Sequence, residues 1–159
     1  MTNSISINLP DGSVHEFPAG TTALQVAENI GAGLAGAALA AKVDGEVWDL
    51  ERPICEAVSL EILTERQPEA LKVLRHSAAH ILATAVRQLY PEANIGFGPA
   101  IQDGFYYDFE VERPFTPEDL ATIEKRMHEV VKENFPFVRE EVDRDEAEKR
   151  FKDDPLKLE

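Results

Sequence analysis

Ser4-Ile5-Ser6-Ile7-Asn8-Leu9-Pro10-Asp11-Gly12-Ser13-Val14-His15-Glu16-Phe17 decides the first half of the fold. Ile5, Ile7 and Leu9 alternate with polar neighbours, the period of two expected of a strand with one buried face. Asp11-Gly12 supplies the positive φ that a tight hairpin needs, and Val14 and Phe17 resume the alternation, so the stretch reads strand, turn, strand. Beyond it, Thr21 or Thr22 can cap a helix whose Leu24, Val26, Ala27 and Ile30 recur at helical spacing until Gly31 stops it. Ala37 to Val43 is a small apolar run, Asp44-Gly45 is a second hairpin signal, and Val47 to Leu50 and Val58 to Leu63 read as further strands. The order ββαβββ predicts an α+β, β-grasp architecture with one helix laid across a mixed sheet.

Polar residues and a proline at Glu65-Arg66-Gln67-Pro68 interrupt both periodicities and place a domain boundary there, giving domains 1–64 and 65–159. From Glu69 to Leu89 an apolar stripe of Leu71, Leu74, Ala78, Ile81, Leu82, Ala85 and Leu89 predicts a long helix with that stripe as its core face. Tyr90-Pro91 ends it. Asn94 to Glu112, rich in Gly, Phe and Tyr and turning at Asp103-Gly104, reads as a hairpin or bent strands. Thr116-Pro117-Glu118-Asp119 opens another helix, with a hydroxyl cap, proline in the first turn and acids at the positive end of the dipole, running to about Asn134. Phe135 to Val142 reads as a strand and Asp145 to Phe151 as a short helix.

The chain has 159 residues, 43% hydrophobic and 29% charged, which suits a folded protein with a core rather than a disordered one. No apolar run reaches the roughly 18 residues a membrane span requires, and Met1 is followed by polar Thr2, Asn3 and Ser4 rather than a leader, so a cytoplasmic location without membrane contact is expected. The single cysteine, Cys55, excludes an internal disulfide and a cysteine-based zinc cluster. Net charge is −14, divided as −8 over residues 1–65, +1 over 66–107 and −7 over 108–159. Only the middle stretch could approach a polyanion without strong repulsion. Acidic runs such as Glu140-Glu141 and Asp153-Asp154 read as solvated faces.

The sharpest chemical signal lies in that middle stretch. In His76-Ser77-Ala78-Ala79-His80 a spacing of four puts both imidazoles on one helix face, roughly opposite the leucine stripe and among Val73, Ala83 and Arg87. Two surface histidines on an amphipathic helix would also produce this pattern. A metalloprotease helix needs glutamate after the first histidine, where this chain has Ser77. A zinc site would need further ligands, and Cys55, His15 and His128 are distant in sequence. Metal-free acid and base chemistry fits as well, since imidazole can take a proton from water or hand one to a leaving oxygen.

A resemblance covers the whole chain. Leu9-Pro10-Asp11-Gly12-Ser13, Val26-Ala27 and Val43-Asp44-Gly45-Glu46 resemble the ubiquitin-like TGS domain of certain aminoacyl-tRNA synthetases and GTPases. Leu74-Arg75-His76-Ser77-Ala78-Ala79-His80, Gln88-Leu89-Tyr90-Pro91, Gly96-Phe97-Gly98-Pro99 and Asp103-Gly104-Phe105-Tyr106-Tyr107-Asp108 are similar to the editing domain of bacterial threonyl-tRNA synthetases, as are Leu120 and Ile123-Glu124-Lys125-Arg126-Met127. The resemblance implies a parent enzyme that joins threonine to tRNA(Thr) with ATP and hydrolyses mischarged seryl-tRNA(Thr). His76 and His80 would be its catalytic pair, and Tyr107 and the Gly98 backbone would hold the seryl group or terminal adenosine. Arg75 and Arg87 could touch RNA phosphate, although a solvated basic residue is the better account of each.

The Cys-x-x-x-His pair and lysine that such a pocket also uses have no match after His80. The class II core that binds ATP, magnesium and zinc and the anticodon-binding domain are also without a match, so no cofactor is expected within these residues. The chain therefore reads as the N-terminal part of a longer enzyme, weak or inactive as a deacylase alone. Its expected partners are the seryl-bearing 3′ end of tRNA(Thr), the rest of the synthetase and, in the parent, a second copy as a homodimer. The competing reading is a TGS-containing adaptor that docks RNA or protein without catalysis.

Overall fold

A computed structural model of the chain describes residues 4–136 and 138–152. The fold is α+β, and it divides into two compact units that meet in sequence between Leu74 and Arg75. In the first unit β1 (Ser4–Asn8), β2 (Val14–Pro18), β4 (Ala38–Val43), β5 (Glu46–Trp48) and β7 (Val58–Thr64) form one sheet in the order β2-β1-β7-β4-β5. The central pair, β1 and β7, is parallel and the other pairs are antiparallel, so the sheet is mixed as the sequence predicts.

The two Asp-Gly turns close as expected. Gly12 has φ of +84° and the Asp11 carboxylate accepts both the Ser13 amide, at 2.9 Å, and the Ser13 hydroxyl, at 2.6 Å. At the β4–β5 turn both Asp44 (φ +48°) and Gly45 (φ +90°) are left-handed, the combination that matches the twist of a two-residue hairpin. Helix α1 (Ala23–Ile30) starts at Thr22, whose hydroxyl and the Gln25 side chain cap each other's backbone, and it stops at Gly31. Its buried Ala23, Val26 and Ala27 pack with Ile5, Ile7, Val58 and Leu60 on one face of the sheet.

Two features were not in the sequence expectation. A second short helix, α2 (Ala32–Ala37), precedes β4, and the two-residue strands β3 (Thr21–Thr22) and β6 (Pro53–Ile54) pair with each other. On the sheet's opposite face Ala40 and Leu63 meet Ala70, from the first turns of α3 (Pro68–Leu89). Those turns thus belong to the first compact unit.

In the second unit, two nested antiparallel ladders follow α3: β8 (Asn94–Ile95) with β11 (Phe109–Glu110), and β9 (Ala100–Ile101) with β10 (Gly104–Phe105). Helix α4 (Pro117–Glu133) begins with a capping box between Thr116 and Asp119 and ends at left-handed Asn134. Its Ile123 packs with Ala83, Val86 and Ile95. Helix α5 (Arg144–Arg150) is capped by Asp143. Glu140 and Glu141 are exposed as expected, paired with Arg150 and Arg139. Asp153-Asp154 lies outside the described residues.

Two expectations need correction. The stretch from Phe135 to Val142 is not a strand at any described position, and Phe137 lies outside those residues. Phe135 and Val138 are 71% and 77% exposed, and apolar spacing does not make a strand unless a neighbour takes up the backbone donors and acceptors. The core face of α3 only partly follows the predicted stripe. Ala85 is buried and Leu82 and Leu89 pack against the same cluster, but Leu74 is 47% exposed, and Ala79, Ala83 and Val86, outside the stripe, are buried, where small side chains let the helix approach its neighbours closely.

Asp119 makes the start of α4 sensitive to acid. Its carboxylate accepts two hydrogen bonds from the Arg113 guanidinium, the Thr116 amide and hydroxyl, and the Tyr90 hydroxyl. Arg113 first, then the Thr116 amide, hold its pKa well below the usual carboxylate range, against the opposing effect of burial. A folded-state pKa lowered in this way stabilises the fold above the unfolded value of about 3.9, and that stability is lost as pH falls from there through the folded pKa. Asp119→Asn is expected to lower Tm at pH 7 and to flatten the fall of Tm between about pH 5 and 2. An unchanged slope would remove Asp119 from the acid response.

Candidate active site

The helical period delivers His76 and His80 to the same edge of α3. Taking 100° per residue, His76 stands about 20° from Ala83 and 60° from Ala79, and His80 about 60° from Ala83, at the rim of the buried arc rather than opposite it. Ala79 and Ala83 are buried while both histidines are exposed. The imidazoles therefore lie at the border of the core on exposed residues.

The two rings touch each other. Nε2 of His80 lies 3.1 Å from Nε2 of His76, and the rings are edge-on, with centroids 4.5 Å apart and planes at 85°. A nitrogen-to-nitrogen hydrogen bond of this length needs one protonated and one bare nitrogen. The pair thus presents one donor and one acceptor at the same spot, and protonating both would set two donors against each other. One turn on, the Thr84 hydroxyl donates to the His80 carbonyl at 2.9 Å, a contact not anticipated from the sequence.

Gly98 and Tyr107 form a second contact. Gly98 is buried, and a Cβ added there would stand 2.1 Å from Cδ2 and 2.5 Å from Cγ of Tyr107. Only a residue without a side chain lets the phenol ring lie against this backbone. The ring also stacks with Phe109, at 5.1 Å and 19°. The strand register explains the pairing: the Gly96 amide donates to the Asp108 carbonyl at 2.9 Å and the Asp108 amide to the Phe97 carbonyl at 3.0 Å, which brings Gly98 opposite Tyr107.

The structure thus joins the predicted residues in two pairs, His76 with His80 and Gly98 with Tyr107. Arg75 is half-buried and donates to the Ile101 carbonyl at 3.5 Å. Arg87 is exposed. A cavity of about 370 Å³, bordered by Tyr90, Val111, Arg113 and Phe115, contains none of the four predicted residues. Among the described residues no group of three or more His, Cys, Asp or Glu side chains could hold a metal ion. No described helix is long and apolar enough to cross a membrane.

The glycine contact is open to test. Gly98→Ala should displace the Tyr107 ring and destabilise the second unit by about 1–3 kcal/mol, the usual cost of overpacking. Thermal unfolding and the Tyr107 ring signals in NMR read the two effects, and an unaltered ring environment would contradict the contact.

Residues 5–64 match the TGS domain family. Across nearly its full length the chain is similar to threonine–tRNA ligases. It is 53% identical over 148 residues to that of Desulforamulus reducens, covering 93% of this chain and 23% of the relative. With the Streptococcus mutans enzyme the identity is 53% over 156 residues, covering 98% and 24%. With that of Thiobacillus denitrificans it is 54% over 149 residues, covering 94% and 23%. The chain spans about a quarter of the length of these curated relatives. It is therefore a TGS-containing relative of the N-terminal part of threonine–tRNA ligase.

Proposed function

We propose that residues 1–64 are the TGS domain and residues 65–159 the first part of an editing domain in a threonyl-tRNA synthetase, where His76 and His80 handle the protons of ester hydrolysis. The single observation that carries this reading is the exposed Nε2-to-Nε2 contact of 3.1 Å.

The chemical need is general. Threonine and serine differ by one methyl group, worth only about 1–3 kcal/mol in a binding pocket. Selection at that level leaves mischarged product, and hydrolysis at a second site removes it. Cleaving the seryl ester requires a group that takes a proton from the attacking water and a group that gives one to the departing ribose oxygen. A bare imidazole nitrogen and a protonated one, side by side on a rigid helix, supply both. Water reaches the bare nitrogen by opening the contact between the rings. Tyr107, held in place against Gly98, offers a ring face and a hydroxyl to the terminal adenosine or the seryl group.

On this reading the partners are the seryl-bearing end of tRNA(Thr), the remainder of the synthetase and a second copy of the enzyme, all in the cytoplasm. The parent would be a ligase acting with ATP, magnesium and zinc. The donor set described above does not suit a metal cofactor, and no step here is routed through one.

His76→Ala and His80→Ala in a full-length synthetase should leave threonylation nearly intact while seryl-tRNA hydrolysis falls by about 10²–10⁴-fold, the usual share of acid–base catalysis. Unchanged deacylation in both variants would refute the assignment.

A further inference from the structure

We propose that the cavity of about 370 Å³ between the end of α3 and the loop from β11 to α4 is a binding site for a small organic cation, an alkylammonium or alkylguanidinium. Tyr90 and Phe115 supply its aromatic wall, with ring centroids 5.4 Å apart and planes tilted by 53°. Both rings are half-buried, and the Tyr90 hydroxyl is anchored on Asp119 at 2.9 Å. The acidic part of the lining follows from strand register. Asn94 pairs with Glu110, so continuing the antiparallel register two positions past the ladder sets Ala93 against Val111 and Glu92 against Glu112, and all four of these line the cavity. Like charges directly opposite each other destabilise a strand pair.

Glu110 has a donor for its carboxylate in Asn94, at 2.9 Å, whereas neither Glu92 nor Glu112 has a cationic partner among the described residues. Arg113 also borders the cavity, yet its guanidinium donates twice to Asp119, at 2.6 and 3.1 Å, so its charge is already balanced. Two uncompensated carboxylates thus stand beside two aromatic rings. This combination repels phosphates and carboxylates and suits a cation with N–H donors, whose head bridges the glutamates while its methylene stem lies along the rings. A metal ion would find too few donors here, since no group of three or more His, Cys, Asp or Glu among the described residues could hold one. The volume is near the low end of the roughly 300–1,000 Å³ typical of small-molecule sites, so the occupant is a free small molecule and not a folded partner. None of these residues belongs to the four assigned to hydrolysis, and the proposal stands apart from that reading.

The test titrates this chain with agmatine, which carries a guanidinium at one end and an ammonium at the other, with putrescine, which carries only ammonium groups, and with neutral n-butanol. In NMR spectra the signals of Tyr90, Glu92, Glu112 and Phe115 should move first and saturate at millimolar agmatine with one site per chain, while butanol leaves them in place. Tighter binding of agmatine than of putrescine assigns the guanidinium as the preferred head, and equal binding assigns the ammonium. Glu92→Gln and Glu112→Gln should each weaken binding about fivefold or more, the scale of losing a hydrogen bond to a charged group. Glu124→Gln, which removes the same charge from an exposed position on α4, should leave the affinity unchanged. Circular dichroism confirms that each variant is folded. Equal affinity in wild type and both cavity variants, shifts spread over the acidic surface without saturation, or an equal response to butanol would overturn the site.

Discussion

Two imidazoles can meet at hydrogen-bonding distance only if the helix beneath them keeps its pitch, and in α3 the pitch is held by side chains with almost no bulk. Ala79, Ala83, Ala85 and Val86 are buried, Ala85 from the predicted stripe and the other three from outside it. Ala83 and Val86 pack directly against Ile95 and Ile123, while Tyr107 and Phe109 border the same cluster. Because the buried residues are small, the helix surface sits close to its neighbours, and residues at the rim of the buried arc stay exposed without standing far out. His76 and His80 occupy that rim. Replacing Ala79 or Ala83 with a larger residue would push the helix away from its support and loosen the geometry of the pair.

The ladders that follow α3 serve a similar purpose for Tyr107. Strands of two residues contribute few hydrogen bonds, so the position of this ring depends on contacts specific to it: the bare backbone of Gly98 and the stacked ring of Phe109. At the entry to α4, Asp119 gathers Arg113, Thr116 and Tyr90 around one carboxylate, tying the end of α3 to the start of α4. Farther along the two helices, Arg126 links Gln88 of α3 to Glu129 and Glu133 of α4. The unit that carries the histidines thus relies on a small core supplemented by polar clamps at two points.

Much of the first unit could be read from residues whose backbone demands are local. Asp11-Gly12 and Asp44-Gly45 announce their turns because few other pairs tolerate positive φ, and Thr22 and Thr116 announce helix starts because their hydroxyls satisfy free amides. The β3–β6 pair could not be read that way, since two residues give no periodicity and the partner lies some thirty positions away. Helix α2 was hidden by Gly33 and Gly36 in a run of alanines, a composition with weak preference for any state. The failed strand at Phe135 to Val142 shows the limit of alternation, which reports a surface suited to pairing but not whether a neighbour exists. In α3 the spacing of the histidines was legible and their distance was not. Period alone puts them one turn apart, and only the side-chain rotamers bring Nε2 to Nε2.

Charge adds a functional constraint. On a chain of net charge −14, the only stretch that is not acidic contains the histidine pair, Gly98 and Tyr107. A polyanionic substrate meets its least repulsion where the proton-handling groups are. Nitrogen-15 NMR of the histidine rings at neutral pH tests the central contact most directly. The account predicts one Nε2 with the shift of a protonated nitrogen and the other with that of a bare one, or both at an average value if the proton exchanges rapidly. Two rings fixed in the same tautomer, with both Nε2 atoms protonated or both bare, would contradict it.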